Sequence, residues 1–216
     1  MANPLAGADR QLAAWFHAHL THPFVTVLRA FSEFGASESI GIALFFLALF
    51  FVFKRRWPSL VTLIVAVPGG MLLNELVKIL VHRHRPFLEG WFVDWSGYSF
   101  ASGHTIGATL LYGQLALFVL PAVKGRHWRT LTVSTAILLV SLVGFSRIAL
   151  GAHYLTDVLG AIFFGIVWLA LCLIAGKPMR RNGLPYQACS AVPLVVADAL
   201  AMPVEETEQP VQNLLS

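Results

Sequence analysis

The sequence predicts an all-α protein: a polytopic bundle of transmembrane helices with a helical N-terminal segment on the membrane surface. Three observations support this fold class. The chain of 216 residues is 57% hydrophobic and only 12% charged, which is about half the charge fraction of an ordinary soluble domain. Five apolar runs approach the length of about 20 residues that a helix needs to cross a bilayer. The basic residues lie mainly between these runs, as is usual in membrane proteins.

The five predicted spans form a core over residues 37–176, and they are 37–53, 57–77, 103–122, 129–149 and 155–176. The first is short, but the basic side chains at 54–56 can extend along its end toward water. The second contains Pro68-Gly69-Gly70, which predicts a kink or a close contact between helices.

The N-terminal segment, residues 1–36, carries apolar residues at roughly helical spacing among basic residues and histidines, and Pro23 divides it. This pattern predicts one or two amphipathic helices in the outer interface. The alternative is a sixth, weakly hydrophobic span. The last segment, residues 177–216, contains proline, glycine and an acidic run, and we expect it to be a flexible cytoplasmic tail.

The distribution of positive charge predicts the orientation. Nine of the 15 Lys and Arg residues follow the first, third or fifth span: Lys54, Arg55, Arg56, Lys124, Arg126, Arg129, Lys177, Arg180 and Arg181. The positive-inside rule makes that side cytoplasmic in a cell membrane. Four of the other six lie on the opposite side, where the polar motifs are: Lys78, Arg83, Arg85 and Arg147. No broad basic face remains for nucleic acid, so the net charge of +4 does not indicate a nucleic-acid partner.

The first polar cluster follows the second span. Lys78 and Arg85 are seven residues apart, so they share a face of a helix. They can hold a phosphate from two sides if the helix breaks near Arg85, and Pro86 predicts that break. The alternative is that both are ordinary basic residues at the interface. The residues between them are assigned only to the wet interface: His82, Arg83 and His84.

The second cluster, Ser102-Gly103-His104, precedes the third span. Serine is a good N-cap, and glycine lets a ligand approach the backbone. The free N–H groups and the dipole at a helix start form an anion site, which would place His104 at a phosphate. Taken alone, this tripeptide is better explained as an ordinary capped helix whose histidine faces water.

The third cluster joins the fourth and fifth spans. Arg147 ends one, and His153 and Asp157 are four residues apart at the start of the next. A carboxylate one turn away can accept the N–H of one imidazole nitrogen, which leaves the other as a lone pair for attack or proton abstraction. A surface His–Asp pair is the alternative, but an idle carboxylate beside a long apolar run is costly.

Together the three clusters resemble the signature of the type-2 phosphatidic acid phosphatase superfamily: Lys78-x6-Arg85-Pro86, Ser102-Gly103-His104 and Ser146-Arg147-x5-His153-x3-Asp157. The superfamily includes membrane lipid phosphatases, soluble bacterial acid phosphatases and vanadium haloperoxidases. The chain departs from its pattern at Ala101, where proline is usual, and in having five spans where many membrane members have six.

The resemblance implies a role for each residue. His153 would attack phosphorus and carry a phosphohistidine, Asp157 would orient it, and His104 would protonate the leaving oxygen. The oxygens of the phosphate would be held by Lys78, Arg85, Ser102, the Gly103 N–H and Arg147. Several cations can replace a metal in phosphoryl transfer. The family implies metal independence, and the sequence shows no acidic metal cage, so we expect neither metal nor cofactor.

These observations predict a lipid phosphatase whose active site faces the extracytoplasmic side. The resemblance suggests three candidate substrates: undecaprenyl diphosphate, which we favour, phosphatidic acid and phosphatidylglycerol phosphate. A lipid phosphotransferase is the first alternative, and vanadate-dependent halide oxidation or a non-enzymatic lipid carrier ranks lower. Loop 87–101 is expected to form a lid or rim over the site. The sequence carries no signal for the oligomeric state.

Overall fold

The computed structural model describes residues 6–86 and 97–181, and all regular secondary structure in these ranges is α-helical. The helices are α1 Ala6–His19, α2 His22–Glu33, α3 Ser37–Phe53, α4 Trp57–Val81, α5 Gly103–Val119, α6 Arg126–Ala149 and α7 Leu155–Arg181. The all-α prediction is therefore confirmed.

Four helical stretches in the described ranges are long and apolar enough to cross a membrane: His22–Phe53, Trp57–Val81, Arg126–Ala149 and Leu155–Ala175. The predicted span 103–122 corresponds to α5, which has 17 residues and ends at Val119. This helix occupies the centre of the bundle, where it packs against α4, α6 and α7. Most of its first half is buried, so its apolar side chains mainly contact protein.

Small residues let these helices approach closely. A Cβ atom on Gly70 of α4 would lie 2.6 Å from a methyl carbon of Leu110 on α5 and 2.8 Å from a ring carbon of Trp168 on α7. Any larger side chain would force the helices apart. Helix α4 continues through Pro68. Gly70 makes the close contact between helices, which is one of the two outcomes that the sequence predicted for Pro68-Gly69-Gly70.

The N-terminal segment forms two helices, and both pack on the bundle. Helix α2 buries Val25, Leu28 and Ser32 and lies against α6, while α1 contacts α6 and α7. Their place in the membrane interface stays a prediction. At the other end of the chain α7 continues to Arg181, so the helix extends past residue 177, where we expected the tail to begin. Residues 182–216, and residues 87–96 of the expected lid, lie outside the described ranges.

The up-and-down order of the long helices brings the three polar clusters to one end. The C-terminal ends of α4 and α6 and the N-terminal ends of α5 and α7 meet there. The basic connections at 54–56 and 120–125 belong to the opposite ends of these helices. The three polar clusters, which are far apart in the chain, are therefore brought to the same end of the bundle.

Candidate active site

A cavity of about 170 Å³ lies at this end of the bundle. Six of the eight predicted site residues line it: Lys78, Arg85, Gly103, His104, Arg147 and His153. The other lining residues are Ser37, Met71, Asn74 and Ile106. Ser102 and Asp157 lie behind this wall, and both are fully buried. The three clusters thus converge on one cavity that holds three cationic side chains and two imidazoles.

The end of α4 differs from the prediction in its position. The helix ends at Val81, because His82 adopts the left-handed conformation at φ 51° and ψ 33°. Pro86 comes four residues later, so it does not end the helix. The early end lets Arg85 leave the helix direction and reach into the cavity that Lys78 lines. Lys78 and Arg85 thus line one cavity, as a grip on a phosphate from two sides requires, and His82 instead of Pro86 produces the break in the helix.

Arg85 contacts both the nucleophile candidate and the backbone around it. Its Nη1 is 3.2 Å from Nε2 of His153 and donates to the carbonyl of Ala152 at 3.0 Å. Its Nε donates to the carbonyl of Gly97 at 3.2 Å. Burial lowers the pKa of the Arg85 guanidinium, and Asp157 opposes that shift. The guanidinium is held where it can touch both the imidazole and a bound oxyanion.

His153 is only 2% exposed. Its Nδ1 lies 2.8 Å from the carbonyl oxygen of Ser99. A carbonyl can only accept, so Nδ1 carries the proton and Nε2 keeps a lone pair. Burial, aided by the charges of Arg147 and Arg85, lowers the pKa of His153 to about 4, although Asp157 works in the other direction. This shift favours the neutral imidazole at neutral pH.

Asp157 does not orient His153 by the direct hydrogen bond that the spacing suggested. Its Oδ2 lies 3.7 Å from Nδ1 of His153, which is too long for a hydrogen bond. Asp157 instead accepts from the hydroxyl of Ser99 and from the backbone N–H of Tyr154 at 2.9 Å. The carbonyl of Ser99 thus accepts a hydrogen bond from the imidazole N–H, and the hydroxyl of Ser99 donates one to the carboxylate of Asp157. Asp157 is therefore linked to His153 through Ser99, with its carboxylate 3.7 Å from the imidazole.

Arg83, to which the sequence assigned no role, forms an ion pair with Asp157. Its Nη1 donates to Asp157 at 2.6 Å and to the hydroxyl of Thr156 at 2.6 Å. Its guanidinium also lies over the Tyr154 ring, 4.3 Å from the centroid. The backbone carbonyl of Arg83 also accepts from the N–H of Ser99 at 2.7 Å. The costly burial of Asp157 was the available signal, because a buried carboxylate requires a partner.

The second cluster forms the helix N-terminus that the sequence predicted. Ser102 is the N-cap of α5, and its Oγ accepts from the N–H of Thr105 at 3.4 Å and from the Thr105 hydroxyl at 3.0 Å. A Cβ on Gly103 would lie 3.3 Å from Nζ of Lys78, so the ammonium group lies directly over the start of the helix. A phosphate contact of Ser102 stays a prediction, whereas Gly103 and His104 border the cavity.

Two further contacts position the cations. Lys78 forms an ion pair with Glu75 at 2.6 Å; the exposed Glu75 carboxylate competes only weakly with a phosphate because water screens it. Nη1 of Arg147 donates to the hydroxyl of Ser32 at 2.8 Å. Ser32 belongs to α2, so the N-terminal segment contributes directly to the arrangement of the site.

The comparisons with known proteins agree with this geometry. The model of the PAP2 superfamily matches residues 59–180, more than half of the chain. The chain belongs to the PAP2 superfamily. Its relatives include phosphatidylglycerophosphatase B of Bacillus subtilis, which is 31% identical over 72% of this chain and 76% of that protein. Lipid A 4'-phosphatase of Porphyromonas gingivalis is 30% identical over 55% of this chain and 53% of its own length.

Two solved structures share the fold. The PAP2-type phosphatidylglycerolphosphate phosphatase from Bacillus subtilis superposes with a TM-score of 0.75 at 24% identity and covers 84% of this chain and 90% of that one. Aquifex aeolicus LpxE gives a TM-score of 0.59 at 21% identity, over 77% of this chain and 95% of that one. The resemblance inferred from the motifs is confirmed, and the protein is a multi-pass membrane lipid phosphatase of the PAP2 superfamily.

The donor set of this PAP2 site suits an anion better than a metal ion. No group of three or more His, Cys, Asp or Glu side chains within 6–86 and 97–181 is placed to hold a metal. The residues that line the cavity are all cationic or neutral, and the carboxylate of Asp157 is engaged with Arg83 and Ser99. Metal independence stays a prediction, and a chelator tests it.

Proposed function

We propose that this PAP2 enzyme removes a phosphate from a membrane lipid through a phosphohistidine on His153. The observation that carries the proposal is the position of Nε2, which is 3.2 Å from the guanidinium of Arg85. It borders the same cavity as Lys78 and Arg147. A phosphate held by these three cations has its phosphorus within reach of a neutral imidazole whose other nitrogen is fixed by Ser99.

In the first step Nε2 of His153 attacks phosphorus as the bond to the leaving oxygen breaks. His104 borders the cavity on the side of the α5 N-terminus and donates the proton that the leaving oxygen needs. The products are the dephosphorylated lipid and a phosphohistidine. The cations and the free N–H groups at the helix start stabilise the charge on the equatorial oxygens in the transition state.

In the second step water replaces the lipid. His104, which lost its proton in the first step, accepts a proton from the water while the water oxygen attacks phosphorus. The bond between nitrogen and phosphorus breaks, and inorganic phosphate leaves. The imidazole of His153 becomes positively charged while it is phosphorylated, so the nearby carboxylate of Asp157 favours the intermediate.

The surroundings of the cavity suit a lipid substrate. Leu76 and Ile79 flank Lys78 on α4 and are largely exposed, as expected for side chains that face hydrocarbon. Met71 and Ile106 give the cavity an apolar side. A head group can therefore enter among the cations while its chains stay in the bilayer. The positive-inside distribution supports an extracytoplasmic position for this end of the bundle.

We propose a phosphomonoester of a glycerophospholipid, with phosphatidylglycerol phosphate as the first compound to test. The name of the 31% identical relative supports this choice. Undecaprenyl diphosphate, which the sequence favoured, is the second compound. Both present a terminal phosphate to the same three cations, so the structure of the lipid beyond that phosphate decides between them.

Phosphate release from a panel of lipids in nanodiscs tests the proposal. The parent enzyme should release phosphate from at least one lipid, and His153→Ala should lower that rate by more than about 10³-fold, since nucleophile and base act as a unit. Acid-sensitive, alkali-stable labelling of the parent by a lipid with labelled phosphate should be absent in the variant. Parent-like turnover of His153→Ala contradicts the nucleophile. Label that passes to an acceptor lipid instead of water identifies a phosphotransferase.

A further inference from the structure

We propose that Asp9, on α1, is a positioning residue for the reaction, through Arg83 and Asp157. The proposal rests on the proposed role of His153 as the nucleophile. Asp9 lies more than 70 residues from either partner in the chain, and none of the three sequence clusters includes it. It is 2% exposed. A carboxylate so deeply buried on an amphipathic surface helix is costly unless it is paired.

The contacts of Asp9 lead directly to Arg83 and to the first turn of α7. Its Oδ2 accepts from Nη2 of Arg83 at 2.8 Å and from the hydroxyl of Thr156 at 2.5 Å. Its Oδ1 accepts from the backbone N–H of Thr156 at 3.2 Å. Nη1 of the same arginine donates to Asp157 at 2.6 Å. One guanidinium thus joins the carboxylate of α1 to the carboxylate beside His153.

Asp9 also caps α7 from another part of the chain. Thr156 and Asp157 lie in the first turn of this helix, where backbone N–H groups lack partners within the helix. Asp9 accepts the N–H of Thr156, and Asp157 reaches back to the N–H of Tyr154. Two carboxylates at the positive end of a helix dipole are favourably placed. The position of Asp157 relative to His153 therefore depends on both.

The charges explain why a second carboxylate matters for the chemistry. Without Asp9, the charges of Arg83 and Asp157 would sum to zero, and the imidazole would face a neutral ion pair. Asp9 shares the guanidinium of Arg83, so less of that positive charge offsets Asp157, and the carboxylate of Asp157 keeps a net negative charge toward the ring. His153 gains positive charge as its Nε2 bonds to phosphorus, so this negative charge stabilises the transition state more than the ground state. Asp9 should therefore act on the rate of phosphorylation and not on the affinity for the lipid.

The test compares Asp9→Asn with the parent in the full chain. The asparagine is the same size and can still accept from Thr156, but it lacks the charge. We expect kcat and the single-turnover rate of phosphohistidine formation to fall at least about tenfold, with KM within about threefold of the parent value. Glu38→Gln, which removes an exposed carboxylate from the start of α3, should match the parent in all three quantities.

A second pair of variants keeps the test independent of folding. Asp9→Glu and Asp9→Gln are matched in size and differ in charge, so the glutamate form should react at least about threefold faster. In an Arg83→Gln background, Asp9→Asn should change the rate by less than about twofold, because its route to Asp157 has been removed. If the role of Asp9 were purely structural, the rates of Asp9→Glu and Asp9→Gln would each fall in proportion to that variant's loss of thermal stability.

The outcomes separate this inference from the proposed function. If His153→Ala is inactive but Asp9→Asn keeps the parent rate of phosphohistidine formation, Asp9 has no positioning role and the phosphohistidine mechanism stands. Equal rates for the glutamate and glutamine forms, or a full tenfold effect of Asp9→Asn in the Arg83→Gln background, also overturn the inference. If His153→Ala turns over like the parent, the proposed function itself fails.

Discussion

The substitution Gly103→Ala should separate stability from catalysis in this enzyme. Gly103 is the first residue of α5, and a Cβ there would enter the cavity 3.3 Å from Nζ of Lys78. Its backbone has no left-handed requirement, so alanine fits the helix itself. The added methyl group would occupy the place where we propose that the backbone approaches a phosphate oxygen.

The expected magnitudes have opposite signs for stability and rate. Replacing glycine by alanine inside a helix stabilises it by about 0.5–1 kcal/mol, and the flexible end of Lys78 can move at little cost. We therefore expect the stability to be unchanged or slightly raised. Loss of one charge-assisted hydrogen bond to the phosphate costs about 1.5–3 kcal/mol. At about 1.4 kcal/mol per factor of ten, kcat/KM should fall roughly ten- to a hundredfold.

The control is Gly41→Ala on α3, where a Cβ would meet nothing within 4 Å. Both variants are purified in the same detergent, and thermal unfolding and kcat/KM for one lipid are measured side by side. Gly41→Ala should keep the parent kcat/KM. If Gly103→Ala also keeps it, the phosphate does not approach the start of α5, and the placement of the anion is wrong.

Three further predictions concern the mechanism. His104→Ala should slow the release of a lipid alkoxide at least about a hundredfold more than that of an activated aryl phosphate, because only the poor leaving group needs a proton; equal losses would remove the general acid. Acidification should lower kcat/KM through about pH 4 and not near 6.5, since protonation of His153 removes its lone pair and its pKa is lowered to about 4. A pH profile corrected for ionisation of the substrate checks this, and an acid limb near 6.5 would contradict it. Dialysis against a chelator should leave turnover unchanged, and a loss restored by a divalent metal would disprove metal independence.

The helices and most of the site residues were predictable because each depends on local patterns. Long apolar runs need a membrane or a protein interior whatever their neighbours are. The three clusters keep their internal spacing on helices of known geometry. For this reason α3 matches its predicted boundaries of 37–53, and six of the eight proposed residues line the cavity.

The errors arose where a contact between distant segments decides the conformation. Spacing alone suggested a bond between His153 and Asp157, but Ser99 competes for the same proton and lies closer to Nδ1. Likewise, the left-handed residue His82 ends α4 before Pro86 is reached. Neither outcome has a signal within a few residues of the place where it occurs.

The sequence by itself determined the bundle, the polar end of its helices and the family, since hydrophobic length, charge bias and fixed motif spacing are properties of single segments. Only the tertiary structure decided which groups face the imidazole. Buried charges take whichever partner the packing brings within about 3 Å, and here the packing of α1 and α2 brings Asp9 to Arg83 and Ser32 to Arg147. A segment expected only to lie on the membrane thus completes the charge balance of the site.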